Sequence, residues 1–170
     1  MATDEISGAV GHGLAVCPES GDARITLMGL LIESTTKLTR LLGAELEASC
    51  GLPLTWFDVL IRLGRSPGRR LTMTQLAGEI SLTSGGVTRL IDRVAEVGYV
   101  ERQSCPTDRR TVYVALTPAG QAMLDRATAE HLDGLERHLV APLDDGERAA
   151  LAATLTKLRD AAAAGCSPAH

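Results

Sequence analysis

Aromatic side chains are scarce in this 170-residue chain, in which one tryptophan, one phenylalanine and two tyrosines make up 2 % of the residues. Hydrophobic residues still amount to 45 %, so length and composition predict one folded domain or two small ones. Long apolar runs are also lacking, and the longest, around residues 25–32, is far shorter than the roughly 20 residues of a membrane span. Because Asp4 and Glu5 stand where a signal peptide would be basic, we expect a cytoplasmic protein with no membrane partner.

Cysteine pairs of the kind that hold metals are missing. The four cysteines are Cys17, Cys50, Cys105 and Cys166, and no two of them form a CxxC pair. This spacing argues against a disulfide framework and a structural zinc site, so we expect reduced thiols and neither a metal nor another cofactor. The sequence also lacks HExxH, a nucleophile elbow and a phosphate-binding loop, and the protein is therefore not expected to be an enzyme.

Charge is unevenly distributed along the chain. The formal net charge is -4, but the segment from Arg62 to Arg110 holds nine arginines against five acids, a balance of +4. The other residues comprise eight basic and sixteen acidic side chains, a balance of -8. A basic middle between acidic flanks is typical of a nucleic-acid-binding module, although it also suits a solvated surface.

Helical periodicity follows a stretch that has none. Residues 1–22 are predicted to form a flexible arm, because they are rich in Gly, Ser, Pro and Asp without an apolar pattern. Apolar residues then recur at steps of three and four from Ile25 to Leu46, which predicts a long helix ended by Gly51 and Pro53.

A second helix is expected over about residues 55–63. Thr55 is the predicted N-cap, and Asp58 would reach back to it while Leu54 packs on Val59. The following "GRSPGRR" is interpreted as a surface loop.

The stretch "LTMTQLAGEISLTSGGVTRLIDRVAEVG" predicts two helices joined by a tight turn. Thr72 and Gln75 have the spacing of a capping box, and Gly98 would end the second helix. The apolar stripe of the second helix is predicted to be Val87, Leu90, Ile91 and Val94. With only residues 81–83 between them, the helices form a predicted helix-turn-helix.

Two strand-like segments come next, "YVERQS" and "TVYVAL". The sequence Asp108-Arg109-Arg110 lies between them and is predicted to occupy the tip of a β-hairpin, called the wing below. Thr117 and Pro118 then start a helix to about His138. A last helix, with Asp144 and Glu147 in its cap, is expected to end at about Ala163.

The continuous segment "LAGEISLTSGGVTRLIDRVAEVGYVERQSCPTDRRTVYVALTPAG" resembles the MarR family of bacterial winged helix-turn-helix regulators. The family's wing pattern, Asp-x-Arg followed by a strand and Leu-Thr-x-x-Gly, corresponds to residues 108–110 and 116–120. The similarity extends over about residues 25–163.

The resemblance implies a mainly α (α+β) fold. A winged helix-turn-helix lobe that binds DNA would occupy residues 53–116, and residues 23–52 and 117–164 would form a helical dimerisation region. The implied function is that of a homodimeric repressor that binds a palindromic operator in double-stranded DNA and is released by a small aromatic or anionic ligand. An alternative for the terminal helices is that they cover the winged lobe within one chain.

Candidate DNA contacts lie on the second helix of the pair and on the wing. They are Thr83, Ser84, Gly85, Thr88, Arg89, Arg93, Asp108, Arg109 and Arg110. Hydroxyl and guanidinium groups suit phosphates and base edges, whereas Asp108 is expected to hold a neighbouring arginine for the minor groove. The alternatives are a solvated helix surface and, for Asp108, a turn cap.

A ligand cleft is expected where the resemblance locates one, between the dimerisation helices and the DNA-binding lobe. Candidate residues are Arg40, Trp56, Asp58 and His131. The alternatives are core or interface packing for Trp56, a helix cap for Asp58, and ordinary surface for Arg40 and His131.

Two other functions stay open from the sequence. Cys105 lies beside the wing with Arg102 nearby, so redox control of DNA binding is one alternative to ligand control. The other is a winged helix that binds proteins, which the arginine-rich segment argues against.

Overall fold

A computed structural model describes residues 22–80, 84–104 and 111–165, except for the side chain of Ser84 and the exposure of Gly165. The predicted arm over residues 1–21, the turn at 81–83 and the wing tip at 105–110 lie outside the described residues. The chain divides into two units, residues 1–37 and 38–170, and the division falls within the first helix.

The predicted mainly helical winged helix-turn-helix fold is confirmed, with a small antiparallel sheet. The helices are α1 (Ala23–Cys50), α2 (Leu54–Arg65), α3 (Met73–Glu79), α4 (Ser84–Glu96), α5 (Pro118–Leu135) and α6 (Asp145–Gly165). The strands are β1 (Arg70–Thr72), β2 (Val100–Ser104) and β3 (Val112–Leu116). A 3₁₀ turn, Pro67–Arg69, precedes β1, and a π-helical turn, Glu136–Val140, follows α5.

The sheet has the order β1-β3-β2, with β3 in the centre. Ser104 of β2 is opposite Val112 of β3, so residues 105–111 connect the two strands as the predicted hairpin requires. Strand β1 was not predicted, because three residues are too few to show a period of two. It is held by its partner instead, with Leu71 opposite Val114.

The predicted cap of α2 is wrong. The helix begins at Leu54, with Pro53 at the N-cap position and no side-chain cap, so Thr55 lies inside the first turn. The Pro53 carbonyl accepts hydrogen bonds from the backbone N–H groups of Trp56 and Phe57 at 2.9 and 3.1 Å. Proline fixes φ at a helix-compatible value, so the chain enters the helix two residues earlier than the threonine suggested.

Other predicted caps are confirmed. Thr72 and Gln75 form a reciprocal capping box at the start of α3. At the start of α6, Glu147 accepts from the Asp144 backbone N–H at 2.9 Å, and Asp144 accepts from the Glu147 N–H at 2.8 Å. Each box satisfies two backbone donors that a helix start would otherwise leave free.

The apolar stripe of α4 is buried as predicted. Val87, Ile91 and Val94 are fully buried and Leu90 is 2 % exposed. They belong to one aliphatic core with side chains of α2, α3, β2, β3 and α5. Burying an aliphatic side chain contributes about 1.5–3 kcal/mol, so this stripe determines which face of α4 turns inward.

The first turn of α5 lies directly against the backbone that follows α4. Gly98 ends the α4 region at φ 84°, a conformation that glycine adopts without strain. Thr117 donates its hydroxyl to the Gly98 carbonyl at 2.7 Å and accepts from the Gly120 N–H at 3.0 Å. A Cβ atom at Gly120 would lie 2.0 Å from the Tyr99 carbonyl oxygen, which leaves room only for glycine.

We predict that Gly120→Ala destabilises the protein by about 1–3 kcal/mol, because the added methyl group must displace backbone. The matched variant is Gly78→Ala in α3, where a Cβ meets no atom within 4 Å. Alanine should stabilise that helix by up to about 1 kcal/mol. Urea unfolding of both variants measures the difference, and equal stability of the two would contradict the close approach at Gly120.

Candidate nucleic-acid interface

The face of α4 opposite the buried stripe is open to solvent. Gly85, Thr88, Arg89, Asp92 and Arg93 are all exposed on it. Because α4 is amphipathic, burial of the four apolar residues leaves these side chains on the outside. This part of the predicted DNA-binding set is therefore brought together on one helix.

Two arginines of the basic segment are paired with acids, and two on α4 are not. Arg102 of β2 binds Asp92 of α4 at 2.8 Å, and this ion pair joins the base of the wing to the helix. Arg62 of α2 is likewise paired. Within the described residues, Arg89 and Arg93 form no ion pair, so their charges are free to meet an external anion.

Gly85 lies in the first turn of α4. A Cβ atom at Gly85 would meet nothing within 4 Å. The first turn of a helix lies at the positive end of the helix dipole, and its backbone N–H groups attract phosphate. The glycine therefore lets an external surface approach these groups closely.

The remaining predicted DNA contacts lie outside the described residues. These are Thr83, Asp108, Arg109 and Arg110, together with the side chain of Ser84. Cys105, the predicted redox site, lies outside them as well.

A separate cavity of about 580 Å³ lies among α1, α2 and α5. Its apolar walls are Leu42, Leu54 and Phe57. Its polar lining consists of Thr39, Thr55, Asp58 and His131. Two of the four predicted ligand residues, Asp58 and His131, are therefore brought together here.

His131 is half-buried and not the surface residue of the alternative interpretation. Its ring lies 4.8 Å from the Phe57 ring, centroid to centroid, at 46°. Its Nδ1 atom is buried without a hydrogen-bond partner among the described residues. Burial disfavours the imidazolium and lowers the pKa of His131 below its usual range.

Asp58 does not cap α2, which was the alternative to its predicted role as a ligand residue. It lies in the second turn of α2 and pairs with Arg62 at 3.2 Å, and Arg62 also pairs with Glu79 at 3.3 Å. One guanidinium thus serves two carboxylates, and the three side chains together carry one negative charge.

The other two predicted ligand residues are not part of the cavity lining. Arg40 is exposed on α1. Trp56 is partly buried and packs against the core, in agreement with its alternative interpretation as packing. Phe57 was missed as a wall of the cavity. Its spacing could have indicated it, because Leu54, Phe57 and Asp58 share one face of α2.

Comparison with known proteins decides the family. The sequence profile of the MarR family matches residues 51–111. The multiple antibiotic resistance protein MarR of Salmonella typhimurium is 32 % identical over 134 residues, which cover 79 % of this chain and 91 % of that protein. The chain belongs to the MarR family. It is accordingly a transcriptional regulator of the winged helix-turn-helix type.

Solved structures of MarR-family proteins resemble this fold closely. Sco3205, a MarR family regulator from Streptomyces coelicolor in complex with DNA, has a TM-score of 0.75 and 28 % identity, covering 88 % of this chain and 92 % of that one. A MarR variant from E. coli in complex with operator DNA has a TM-score of 0.71 and 30 % identity, covering 79 % and 94 %. In the described residues of this family member, no helix is long and apolar enough to cross a membrane.

We predict that the free energy of unfolding falls as the pH drops below about 6.5. In that range His131 binds a proton in the unfolded chain, whereas burial disfavours its protonation in the folded protein. The contribution of neutral His131 is fully present above that pH and is lost as pH falls towards its lowered folded-state pKa. Urea unfolding at several pH values measures this slope. His131→Phe keeps a ring beside Phe57 and should flatten the slope; an unchanged slope would assign it to another group.

Proposed function

We propose that this regulator binds a palindromic operator as a homodimeric repressor and that a small ligand releases it. The observation that carries the proposal is the outward face of α4, where Arg89 and Arg93 are exposed beside Thr88 and form no ion pair with another described residue, while the opposite stripe is buried.

The dimensions and charge of α4 support insertion into a major groove. Its thirteen residues make a rod about 20 Å long, and the groove of B-DNA is wide enough for one helix. Arginine can donate two hydrogen bonds to guanine or bind a phosphate, and a threonine hydroxyl suits either. Asp92 would repel DNA, but its charge is offset by Arg102 at 2.8 Å.

The wing supplies the second proposed contact. Arg109 and Arg110 follow directly on Asp108 in the connection between β2 and β3. An aspartate next to arginines can form a charge-assisted pair that orients a guanidinium, and a narrow minor groove attracts such a group. We propose that Asp108 orients a guanidinium group and that Arg109 and Arg110 insert into the minor groove. Thr83 and Ser84, at the start of α4, would contact phosphate.

The helical ends support assembly into a dimer. Leu151, Leu155 and Leu158 share one face of α6 and are 39–52 % exposed. In α1, Ile25, Met28 and several leucines are also largely exposed. Contiguous exposed apolar surface of this kind marks an interaction site. We assign residues 23–52 and 117–164 to dimerisation and 53–116 to DNA binding, and twofold symmetry then requires a palindromic operator.

The cavity among α1, α2 and α5 is the proposed effector site. Its volume lies in the usual range for small-molecule sites, and it combines apolar walls with the few polar groups that orient a ligand. A ligand that binds one arrangement of these helices better than another shifts the protein away from its DNA-bound form.

We predict that Arg89→Ala and Arg93→Ala each weaken binding to the DNA beside the protein's own gene by about tenfold or more, because each removes a base or phosphate contact. Fluorescence anisotropy across a salt series measures the affinity. Loss of a phosphate contact should also reduce the salt slope by about one.

The matched control is Arg159→Ala on α6, which removes the same charge from an exposed site paired with Asp160. Its affinity for the promoter DNA should be unchanged. If Arg89→Ala and Arg93→Ala leave the affinity for promoter DNA unchanged, as this control does, α4 is not the helix that contacts the DNA. A salt-independent wild type would instead favour a protein-binding winged helix.

A second prediction concerns assembly. Leu155→Asp introduces a charge into the apolar face of α6 and should convert the dimer to monomer, because an unpaired carboxylate cannot be buried there. Sedimentation velocity measures the mass. Val97→Asp makes a comparable change at a 52 % exposed site just after α4 and should leave the mass of the dimer unchanged. A dimeric Leu155→Asp protein would contradict the assignment of α6.

A further inference from the structure

The charges around the α1–α2–α5 cavity indicate which ligands it takes. We propose that the cavity selects aromatic ligands that carry a hydrogen-bond-donating nitrogen group, such as an amidine or amide, over aromatic carboxylates. This inference rests on the proposed effector role of the cavity. Of the aromatic and anionic ligands that the family resemblance implies, it keeps the aromatic ones and disfavours the anionic ones.

The apolar part of the cavity suits a small ring. Leu42 and Leu54 supply aliphatic walls, and the Phe57 and His131 rings lie 4.8 Å apart, centroid to centroid. Aromatic rings prefer offset or tilted neighbours, so this pair presents a surface on which another ring can pack. The remaining lining supplies hydroxyl groups from Thr39 and Thr55, which accept or donate as needed.

Asp58 is the one formally charged side chain in the lining. Its guanidinium partner, Arg62, is not part of the lining and also pairs with Glu79. The group of three therefore retains a negative charge whose carboxylate meets the cavity. A ligand carboxylate close to Asp58 would be repelled, whereas an N–H donor would gain a charge-assisted hydrogen bond.

The described basic side chains of α5 and of the π-helical turn bind other groups or lose charge on burial. Burial lowers the pKa of His131, which favours its neutral form. Arg126 of α5 donates to the Cys50 carbonyl at 2.7 Å. Arg137 and His138 of the π-helical turn both bind Glu45 of α1, at 3.0 and 2.7 Å. No lysine or arginine is among the described lining residues, so an anionic ligand in the cavity would meet the Asp58 carboxylate without a basic side chain of the lining beside it.

The experiment compares three probes of nearly equal shape and different charge: benzamidine, benzamide and benzoate. Each is titrated into the full-length protein without DNA, and binding is followed by protein-observed NMR at neutral pH. We expect benzamidine to bind about tenfold or more tightly than benzoate, with the affinity of benzamide between them. The reason is that only the carboxylate of benzoate is repelled by the Asp58 carboxylate. Tighter binding of benzoate, equal binding of all three, or binding of none would overturn the proposal.

A substitution of Asp58 tests whether this residue causes the charge preference. Asp58→Asn keeps the size of the side chain and removes its charge, so the preference for benzamidine over benzoate should fall to within about threefold. Asp133→Asn removes an exposed carboxylate from α5 outside the cavity and should preserve the wild-type preference. A charge preference that survives in Asp58→Asn would overturn the assignment to Asp58. Thermal unfolding confirms that both variants are folded.

Different results would contradict the proposed ligand preference and the proposed DNA-binding function. Affinity for promoter DNA is measured on the same preparations without any probe. Loss of the charge preference with intact DNA binding overturns the ligand class alone. Absence of sequence-specific DNA binding by the wild type overturns the proposed function, whatever the probes show.

Discussion

The direction in which the outward face of α4 points depends on the burial of one stripe of that helix. Val87, Leu90, Ile91 and Val94 are fixed in a shared aliphatic core, and a helix can turn only one face inward. The rotation of α4 about its own axis is therefore decided by hydrophobic burial. Its arginines point outward as a consequence and need no attractive contact of their own to hold them there.

A second constraint connects the winged lobe to the helices that follow it. The family pattern Leu-Thr-x-x-Gly, residues 116–120, has a direct physical reason in this structure. Thr117 caps α5 and binds the Gly98 carbonyl, Pro118 occupies the first turn, and Gly120 allows the helix to approach the Tyr99 carbonyl. A larger residue at this position would push the first turn of α5 off the lobe.

Sequence patterns predicted the long periodic elements and the reciprocal caps well, because both depend on residues close in the chain. They failed where a competing residue of the chain or a neighbour in space decided the outcome. The Thr55 cap was wrong because Pro53 already starts α2. Strand β1 was missed because its pairing with β3, more than forty residues away, creates it. The cavity was only half predicted: Asp58 and His131 line it, whereas Arg40 and Trp56 do not.

By itself the sequence determined the helix-turn-helix, the wing strands and the family, since periodicity, capping residues and motif order are all local in the chain. Only the tertiary structure decided how the charged groups are shared. The ion pair of Asp92 with Arg102 and that of Arg62 with Glu79 join residues 10 and 17 positions apart. Such pairings depend on distances across packed elements, which no spacing along the chain reveals. Among the described residues they leave Arg89 and Arg93 without an ion pair, and they give Arg62 two carboxylate partners, one of which lines the cavity.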